Sequence, residues 1–491
     1  MGASICPETV RECCPTTAPM DRELARRMDG PQRYRLLQGY PMPALMPAFH
    51  PGQTLDPVKV DTARPLIVGV LPHTSCAPTL AGCGFCTFPH EPFRASEVRR
   101  TVAAVEREIR LRRDSRPELS ERRVDAVYLG GGTANLTPPD ALESLCRTLS
   151  RAFDLHEAEV TLEGAPVFFL KGRHALLEVL RQSLPTRRLR ISMGVQTFDP
   201  DQIRGMGREA FGDRHTVAAV VESAHARGFT TSGDFLLNLP GQSREAMLSD
   251  TASAMAMGLD QICLYHLVLF RGLGTPWARN PEKLRALPAL EAAFANWQAV
   301  RDLLLQNGYV QTTLTNFERS EVHRSGRGYL YEECSFRPEL YDGAGFGPAA
   351  LSCSSDLAGS MAVKWMNEGR AADYARAVDE RAIAFSHRFV YGQKDLKLLY
   401  LTRKLPLLRI PRAAYREAYG GDPLEDLAEE FSALDRAGLT RATADAVELT
   451  PRGMFYADAV AGLLASGRVR ELRGVRAEEI DANEAGGSFM G

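Results

Sequence analysis

Leu66-Ile67-Val68-Gly69-Val70-Leu71 leads through Pro72 into His73-Thr74-Ser75-Cys76-Ala77-Pro78-Thr79-Leu80-Ala81-Gly82-Cys83-Gly84-Phe85-Cys86. The first part is a short apolar run, rich in β-branched residues, that reads as a buried strand. The second is a loop with three cysteines. Comparable apolar runs recur at residues 126–129, 160–162, 189–195, 229–237 and 261–267. Between them lie amphipathic stretches, at 97–111, 139–153, 174–184, 216–227 and 244–257, that read as helices. Pro139 suits a helix start, where a missing N–H costs nothing. Gly228 and Gly258 suit helix ends, where a left-handed residue is needed. Six β-then-α units in series imply a parallel sheet, either open and doubly wound or a partial barrel. In both, ligands collect beyond the carboxyl ends of the strands.

A chain of 491 residues leaves room for two or three such units. Residues 1–64 read as an N-terminal extension, whose leader carries Cys6, Cys13 and Cys14. The α/β unit spans 65–280. Residues 281–384 read as its extension and a Gly-rich connector, with a helix over 290–307 and a strand over 309–314. Residues 385–468 form a mostly helical, winged-helix-like unit with a strand pair near 440–449, and 469–491 a loose tail. The net charge of −2 argues against duplex DNA or an anionic membrane as partner. No export signal or membrane span is evident. A reducing cytoplasm is therefore expected, where clustered cysteines point to metal or catalysis rather than disulfides.

Three thiolates on one loop can each bind one iron of a cubane and leave the fourth iron open. Gly82 and Gly84 permit the tight backbone this needs. Zinc is the competing reading, with His73 or His90 as a fourth ligand. The second strand ends in Gly130-Gly131-Gly132-Thr133, where a ligand can lie against bare main chain. The third ends at Glu163, the fourth at Gln196 with Arg208 shortly after, and the fifth carries Asp234. All fall near one end of consecutive strands, so they should converge in one cavity. There they could bind an amino acid's carboxylate and ammonium together with ribose hydroxyls.

These residues resemble a known family, the radical S-adenosylmethionine proteins like oxygen-independent coproporphyrinogen III oxidase. The likeness covers about residues 65–465. It rests on Val127-Tyr128-Leu129-Gly130-Gly131-Gly132-Thr133, Arg190-Ile191-Ser192-Met193-Gly194-Val195-Gln196-Thr197-Phe198 and Asp234-Phe235-Leu236-Leu237-Asn238-Leu239-Pro240-Gly241-Gln242. Gly207-Arg208-Glu209, Tyr341-Asp342-Gly343-Ala344-Gly345-Phe346-Gly347 and Leu449-Thr450-Pro451-Arg452-Gly453-Met454 add to it.

The resemblance implies an α/β fold, a partial parallel (β/α)6 barrel with a small winged-helix-like C-terminal domain. It implies a [4Fe–4S] cluster on Cys76, Cys83 and Cys86, and one or two S-adenosylmethionine molecules. Gly131, Gly132 and Thr133 would bind the methionine part; Glu163, Gln196, Arg208 and Asp234 would hold ribose, sulfonium region or carboxylate. The sequence departs from the family where six residues, rather than three, separate the first two cysteines, a CX6CX2C loop, and where Phe88 replaces a fourth cysteine.

The expected activity is formation of a 5′-deoxyadenosyl radical. It would serve methyl transfer or cyclopropane-forming carbon insertion on a small biosynthetic metabolite. Porphyrinogen-type oxidative decarboxylation is the alternative. Haem trafficking without turnover is another, with His73, His90, His266 or Cys353 as axial ligands. Expected partners are a small-molecule substrate and a one-electron reductant such as flavodoxin or ferredoxin, with no nucleic acid and no membrane. Gly343-Ala344-Gly345-Phe346-Gly347-Pro348 imitates a dinucleotide fingerprint but lacks a βα setting, so packing is expected of it. In the C-terminal unit Arg403, Lys404, Arg409 and Arg412 are balanced by Glu425, Asp426, Glu429 and Glu430, which suits a lid or interaction module rather than a DNA reader.

Overall fold

A computed structural model describes residues 19–32, 37, 39–50, 61–356 and 360–474. The leader with Cys6, Cys13 and Cys14 and tail residues 475–491 lie outside the described residues.

Six parallel strands form where the apolar runs predict them: β1 Leu66–Val70, β2 Val124–Leu129, β3 Glu159–Gly164, β4 Leu189–Gln196, β5 Thr230–Leu237 and β6 Gln261–His266. They lie side by side in chain order. Helices α1 Ala95–Ser115, α2 Pro139–Ala152, α3 Pro166–Ser183, α4 Arg214–His225 and α5 Arg244–Ala256 return the chain between them. Leu142, Leu145, Leu149, Leu177, Leu180 and Val220 are fully buried, which seals the sheet against these helices. Gly228 and Gly258 do end helices in left-handed conformation, with φ of 79° at each. Helix α3 starts eight residues before the expected 174, with Pro166 in its first turn. Left-handed Gly172 (φ 61°) interrupts it, which explains why the helical pattern is legible only downstream.

The sheet extends well beyond six strands. A hairpin of β7 Tyr309–Gln311 and β8 Asn316–Arg319 adds antiparallel to β6. Strand β9 Asp342–Phe346 pairs parallel with β1 on the other side, and β10 Leu351–Asp356, β11 Met361–Asn367 and β12 Phe385–Tyr391 continue antiparallel. The order is thus β12-β11-β10-β9-β1-β2-β3-β4-β5-β6-β8-β7, an open sheet of twelve strands.

Two expectations are corrected here. Residues 342–367 are not a connector but three strands of the main sheet. The boundary placed at 385 falls on the first residue of β12, so the helical unit follows at Gln393. The fingerprint-like glycines do sit on a strand, yet no helix follows; the chain turns back into β10. Gly347 (φ 104°) approaches the Leu71 carbonyl so closely that a Cβ there would collide with it.

The C-terminal unit consists of helices Gln393–Lys404, Arg412–Tyr419, Ala428–Arg436 and Ala457–Leu464 around a three-stranded sheet of Arg409–Pro411, Ala446–Leu449 and Thr440–Ala442. The expected strand pair thus has a third member. Helix Pro19–Asp29 packs on this unit through buried Leu24. Among the described residues no helix is long and apolar enough to cross a membrane.

Candidate active site

Strand β1 delivers the cysteine loop to the carboxyl end of the sheet. Three consecutive residues, Gly82, Cys83 and Gly84, take left-handed backbone (φ 57°, 51° and 84°). For Cys83 this conformation costs about 1–3 kcal/mol, a strain that functional loops often hold. Amide bonds from Cys83 to Leu80 and from Cys86 to Gly82 (3.0 and 2.7 Å) close the turn.

The ends of the second and fourth strands clamp this loop. The Thr133 amide donates to the Ser75 carbonyl (3.0 Å), and the Thr133 hydroxyl lies 2.8 Å from Cys76 Sγ. Gly132 (φ 57°) is forced, because a Cβ would stand 2.7 Å from the Ser75 oxygen. From the fourth strand, the Thr79 amide bonds the Gly207 carbonyl at 2.9 Å. Arg208 then donates from Nη1 to Cys83 Sγ (3.4 Å) and from Nη2 to the Gly194 carbonyl (2.5 Å). A Cβ on Gly194 would lie 3.1 Å from Gln196 Nε2, so Gln196 and Arg208 share one corner. Gln196 is itself left-handed (φ 75°) at the end of β4.

The carboxylates stand deeper. Glu163 accepts from the Tyr128 hydroxyl at 2.9 Å, and Ser192 Oγ lies 3.4 Å from Asp234 Oδ2. Burial, then the Glu163 charge, push Asp234 up to about 7. Burial also raises Glu163, against the hydrogen bonds from Tyr128 and the Gly131 backbone. Two acids forced together in a dry site await a cationic or hydroxyl-bearing ligand.

The predicted residues therefore come together: cysteines 76, 83 and 86, the glycine turn, Thr133, Gln196 and Arg208 at the rim, Glu163 and Asp234 beneath. Burial pushes Cys86 up to about 11 while the other two thiols bear on it electrostatically. Among the described residues no three His, Cys, Asp or Glu side chains are placed to grip a single ion. A cubane spreads its thiolates over three irons. Three thiols on one turn, with Thr133 beside Cys76 and Arg208 donating to Cys83, are the kind of donor set a cubane with one open iron takes.

The haem-ligand candidates are dispersed in their bonding. His90 is exposed and bonds the Phe88 carbonyl, while His266 bonds Asn238 and packs on Phe455.

Beneath the site lies a cavity of about 530 Å3 that sequence reasoning missed. Gly130, Gly131, Glu163 and Phe88 form its upper wall, and Tyr128, Tyr265, Tyr329 and Tyr331 its sides. The Tyr128 and Tyr331 rings stack at 5.1 Å. Arg403, one of the basic groups counted in the C-terminal unit, lines this cavity together with Lys364.

A sequence model of the Radical SAM superfamily matches residues 80–251. Residues 80–251 thus resemble the radical S-adenosylmethionine domain, whose enzymes use a [4Fe–4S] cluster and S-adenosylmethionine. Within that class the chain is HemN-like. It is 26% identical over 355 residues to the oxygen-independent coproporphyrinogen III oxidase of Synechocystis sp., covering 68% of this chain and 71% of that one. It is 26% identical over 403 residues to the anaerobilin synthase of Escherichia coli O157:H7, covering 76% and 79%. The heme chaperone HemW of Lactococcus lactis is 30% identical over 196 residues, about half its length (48%) and 39% of this chain. The solved coproporphyrinogen III oxidase of Escherichia coli superposes with a TM-score of 0.72 over 87% of this chain and 96% of that one, at 21% identity, and so shares the fold.

Proposed function

We propose that Cys76, Cys83 and Cys86 hold the cluster, that Gly131, Gly132, Thr133, Glu163, Gln196, Arg208 and Asp234 hold S-adenosylmethionine, and that the pair serves hydrogen abstraction from a small molecule in the tyrosine-lined cavity. One observation carries this reading: Gly130 and Gly131 belong at once to the turn docked on the cysteine loop and to the wall of that cavity, where Glu163 accepts from the Gly131 backbone. When bound, the two cofactors supply a one-electron cleavage that ends in 5′-deoxyadenosine.

The chain's own residues supply the rest. Gly131 and Gly132, lacking side chains, let the methionyl group lie on main chain. The Arg208 guanidinium faces its carboxylate. Asp234 and Glu163 take the ribose hydroxyls, with Tyr128 fixing the Glu163 carboxyl. Phe88 and Leu71 wall off water between cofactor and substrate. A one-electron reductant such as flavodoxin or ferredoxin completes the cycle, and the free thiols suit a reducing cytoplasm.

For the net reaction we favour carbon transfer, as methyl transfer or cyclopropane-forming insertion, on a small biosynthetic metabolite. The six-residue spacing of the first two cysteines, a departure from the decarboxylase-like pattern, motivates it, and the cavity of about 530 Å3 takes one drug-sized molecule under either reaction. Oxidative decarboxylation is the second reading, favoured by the similarity to the Synechocystis oxidase over 68% of the chain. Turnover of a metabolite extract with S-adenosylmethionine deuterated at the methyl group separates them. Carbon transfer predicts a product that carries deuterium. An unlabelled product, lighter by carbon dioxide and two hydrogens, would overturn it in favour of oxidative decarboxylation.

A further inference from the structure

One flank of the cysteine loop carries a group that the site above does not use. Trp277 lies in the turn Trp277–Arg279, beyond β6, and the edge of its indole is seated on Gly84, between Cys83 and Cys86. A Cβ on Gly84 would collide with the indole nitrogen, so the two approach as closely as a glycine permits. The Phe85 ring packs on the same indole at 5.7 Å. Over the indole stands the Lys283 ammonium, 4.6 Å from the ring centre. It would also lie 3.7 Å from a Cβ on Gly205, two residues before the Gly207 carbonyl that holds Thr79. Lys283 is therefore close to the exposed tip of the loop, Thr79 and Ala81.

Trp277 belongs to a segment of one-sided charge. Residues 271–285 hold four cations, Arg271, Arg279, Lys283 and Arg285, and one acid, Glu282, in a chain whose net charge is −2. The three arginines are exposed and Lys283 is half-buried. Among the described residues none of the four meets a carboxylate. The nearby acids Asp201 and Glu209 are both held by Arg204. Partly buried Leu80, Leu284 and Leu287 join Trp277 and Cys83 in one apolar cluster. Apolar ground beside unpaired cations suits a small, transient interface whose approach is steered by charge. Gly82, Cys83 and Gly84 are buried, so an electron from outside reaches them through the side chains that cover them. Trp277 is such a cover, and it spans from the Gly84 backbone to the half-buried lysine.

We infer that Trp277, Lys283 and the arginines of residues 271–285 form the docking face for an acidic one-electron carrier protein. In the transfer the carrier loses one electron and the cluster gains it; no bond forms and no proton moves. The inference rests on the cluster reading above, and adds where the reductant sits and what charge it bears.

The test is a titration of full-length, cluster-reconstituted protein with an acidic flavodoxin at low ionic strength. Wild type is compared with the double variant Lys283→Glu, Arg279→Glu and with Arg94→Glu, downstream of the loop beyond His90. The double variant should bind at least about tenfold more weakly, because each reversal turns an attraction into a like-charge contact. Arg94→Glu should bind as wild type does, and wild-type affinity should fall as salt rises. The cluster's visible absorbance supplies a second readout. Photoreduced flavodoxin, kept below saturation, should bleach it more slowly in the double variant, while photoreduced deazariboflavin, small and uncharged, should bleach both proteins alike. Should the double variant fail to load iron, Arg271→Glu with Arg285→Glu, which leaves Lys283 and Trp277 in place, is read in the same way. Equal affinity or equal flavodoxin-driven bleaching, no binding of flavodoxin by wild type, or a loss confined to Arg94→Glu overturns the docking face. Binding needs no turnover, so a protein whose flavodoxin affinity follows these charges yet forms no 5′-deoxyadenosine keeps the docking face and loses the reading above.

Discussion

Arg208 lies 3.4 Å from the sulfur of Cys83 through one amino group while the other holds the Gly194 carbonyl at 2.5 Å. A single guanidinium thus ties the cysteine loop of the first strand to the end of the fourth. Its Nε is buried without a partner, as expected of a side chain whose remaining donor awaits a ligand.

Arg208→Gln should leave the iron content near wild type, because the loop keeps its bonds through Thr133 and Gly207. S-adenosylmethionine should bind about tenfold or more weakly, in line with about 1.5–3 kcal/mol for a hydrogen bond to a charged group. Calorimetric titration of the reconstituted protein reads this; loss of iron with unchanged affinity would make Arg208 a support of the loop alone.

Gly132→Ala tests the other clamp. Both the left-handed φ and the Ser75 carbonyl oppose a Cβ. The variant should lose about 1–3 kcal/mol of stability, the usual cost of backbone forced out of place, and its iron content should fall with the displaced loop. A melting temperature and iron load equal to wild type would contradict the close approach.

Asp234 gives a pH signature in the apo protein. Its folded pKa, about 7, lies above the ordinary 3.8. The folded state therefore holds a proton that the unfolded chain releases. This contribution to stability is complete below about pH 4 and is lost as pH rises through about 7. Asp234→Asn removes the titration, so its melting temperature relative to wild type should climb between about pH 4 and about pH 7 and level off above. A difference that stays constant over that range would mean the carboxyl is not desolvated. The same variant should keep its iron and bind S-adenosylmethionine more weakly.

Glu108 on α1 explains how the later strands are held to the parallel sheet. It accepts from the Gly347 amide (2.9 Å), Asn367 Nδ2 (3.0 Å) and the Tyr374 hydroxyl (2.7 Å) while wholly buried. Glu108→Ala strands these donors and the nearby Arg112, and should cost about 3–5 kcal/mol. Denaturant unfolding measures it; a loss below about 1 kcal/mol would fit a surface pair instead.

The six parallel strands were legible because each is buried on both faces and so reads as a continuous apolar run. The strand-end residues were legible for a related reason: parallel strands bring their carboxyl ends to one side, so Glu163, Gln196 and Asp234 had to meet. Strand β9 was hidden by Gly343 and Gly345, poor strand formers that are required here because a Cβ on Gly345 would strike Leu351. Strand β12 was hidden by its position next to the helical unit in the chain, although it pairs with β11.

The cavity could not be read at all. Tyr128 and Tyr331 stack across two hundred residues of sequence, and no periodicity links them. Lys364 gives no sign of the cavity in the sequence, because only the pairing of β11 with β10 and β12 buries it.

Anaerobic reconstitution with iron and sulfide, followed by dithionite and S-adenosylmethionine, tests the central claim most directly. The wild type should take up about four irons per chain, the number in one cubane, and form 5′-deoxyadenosine, while simultaneous replacement of Cys76, Cys83 and Cys86 by alanine should abolish both. Nucleoside formation by the triple variant, or zinc in place of iron in the wild type, would contradict it.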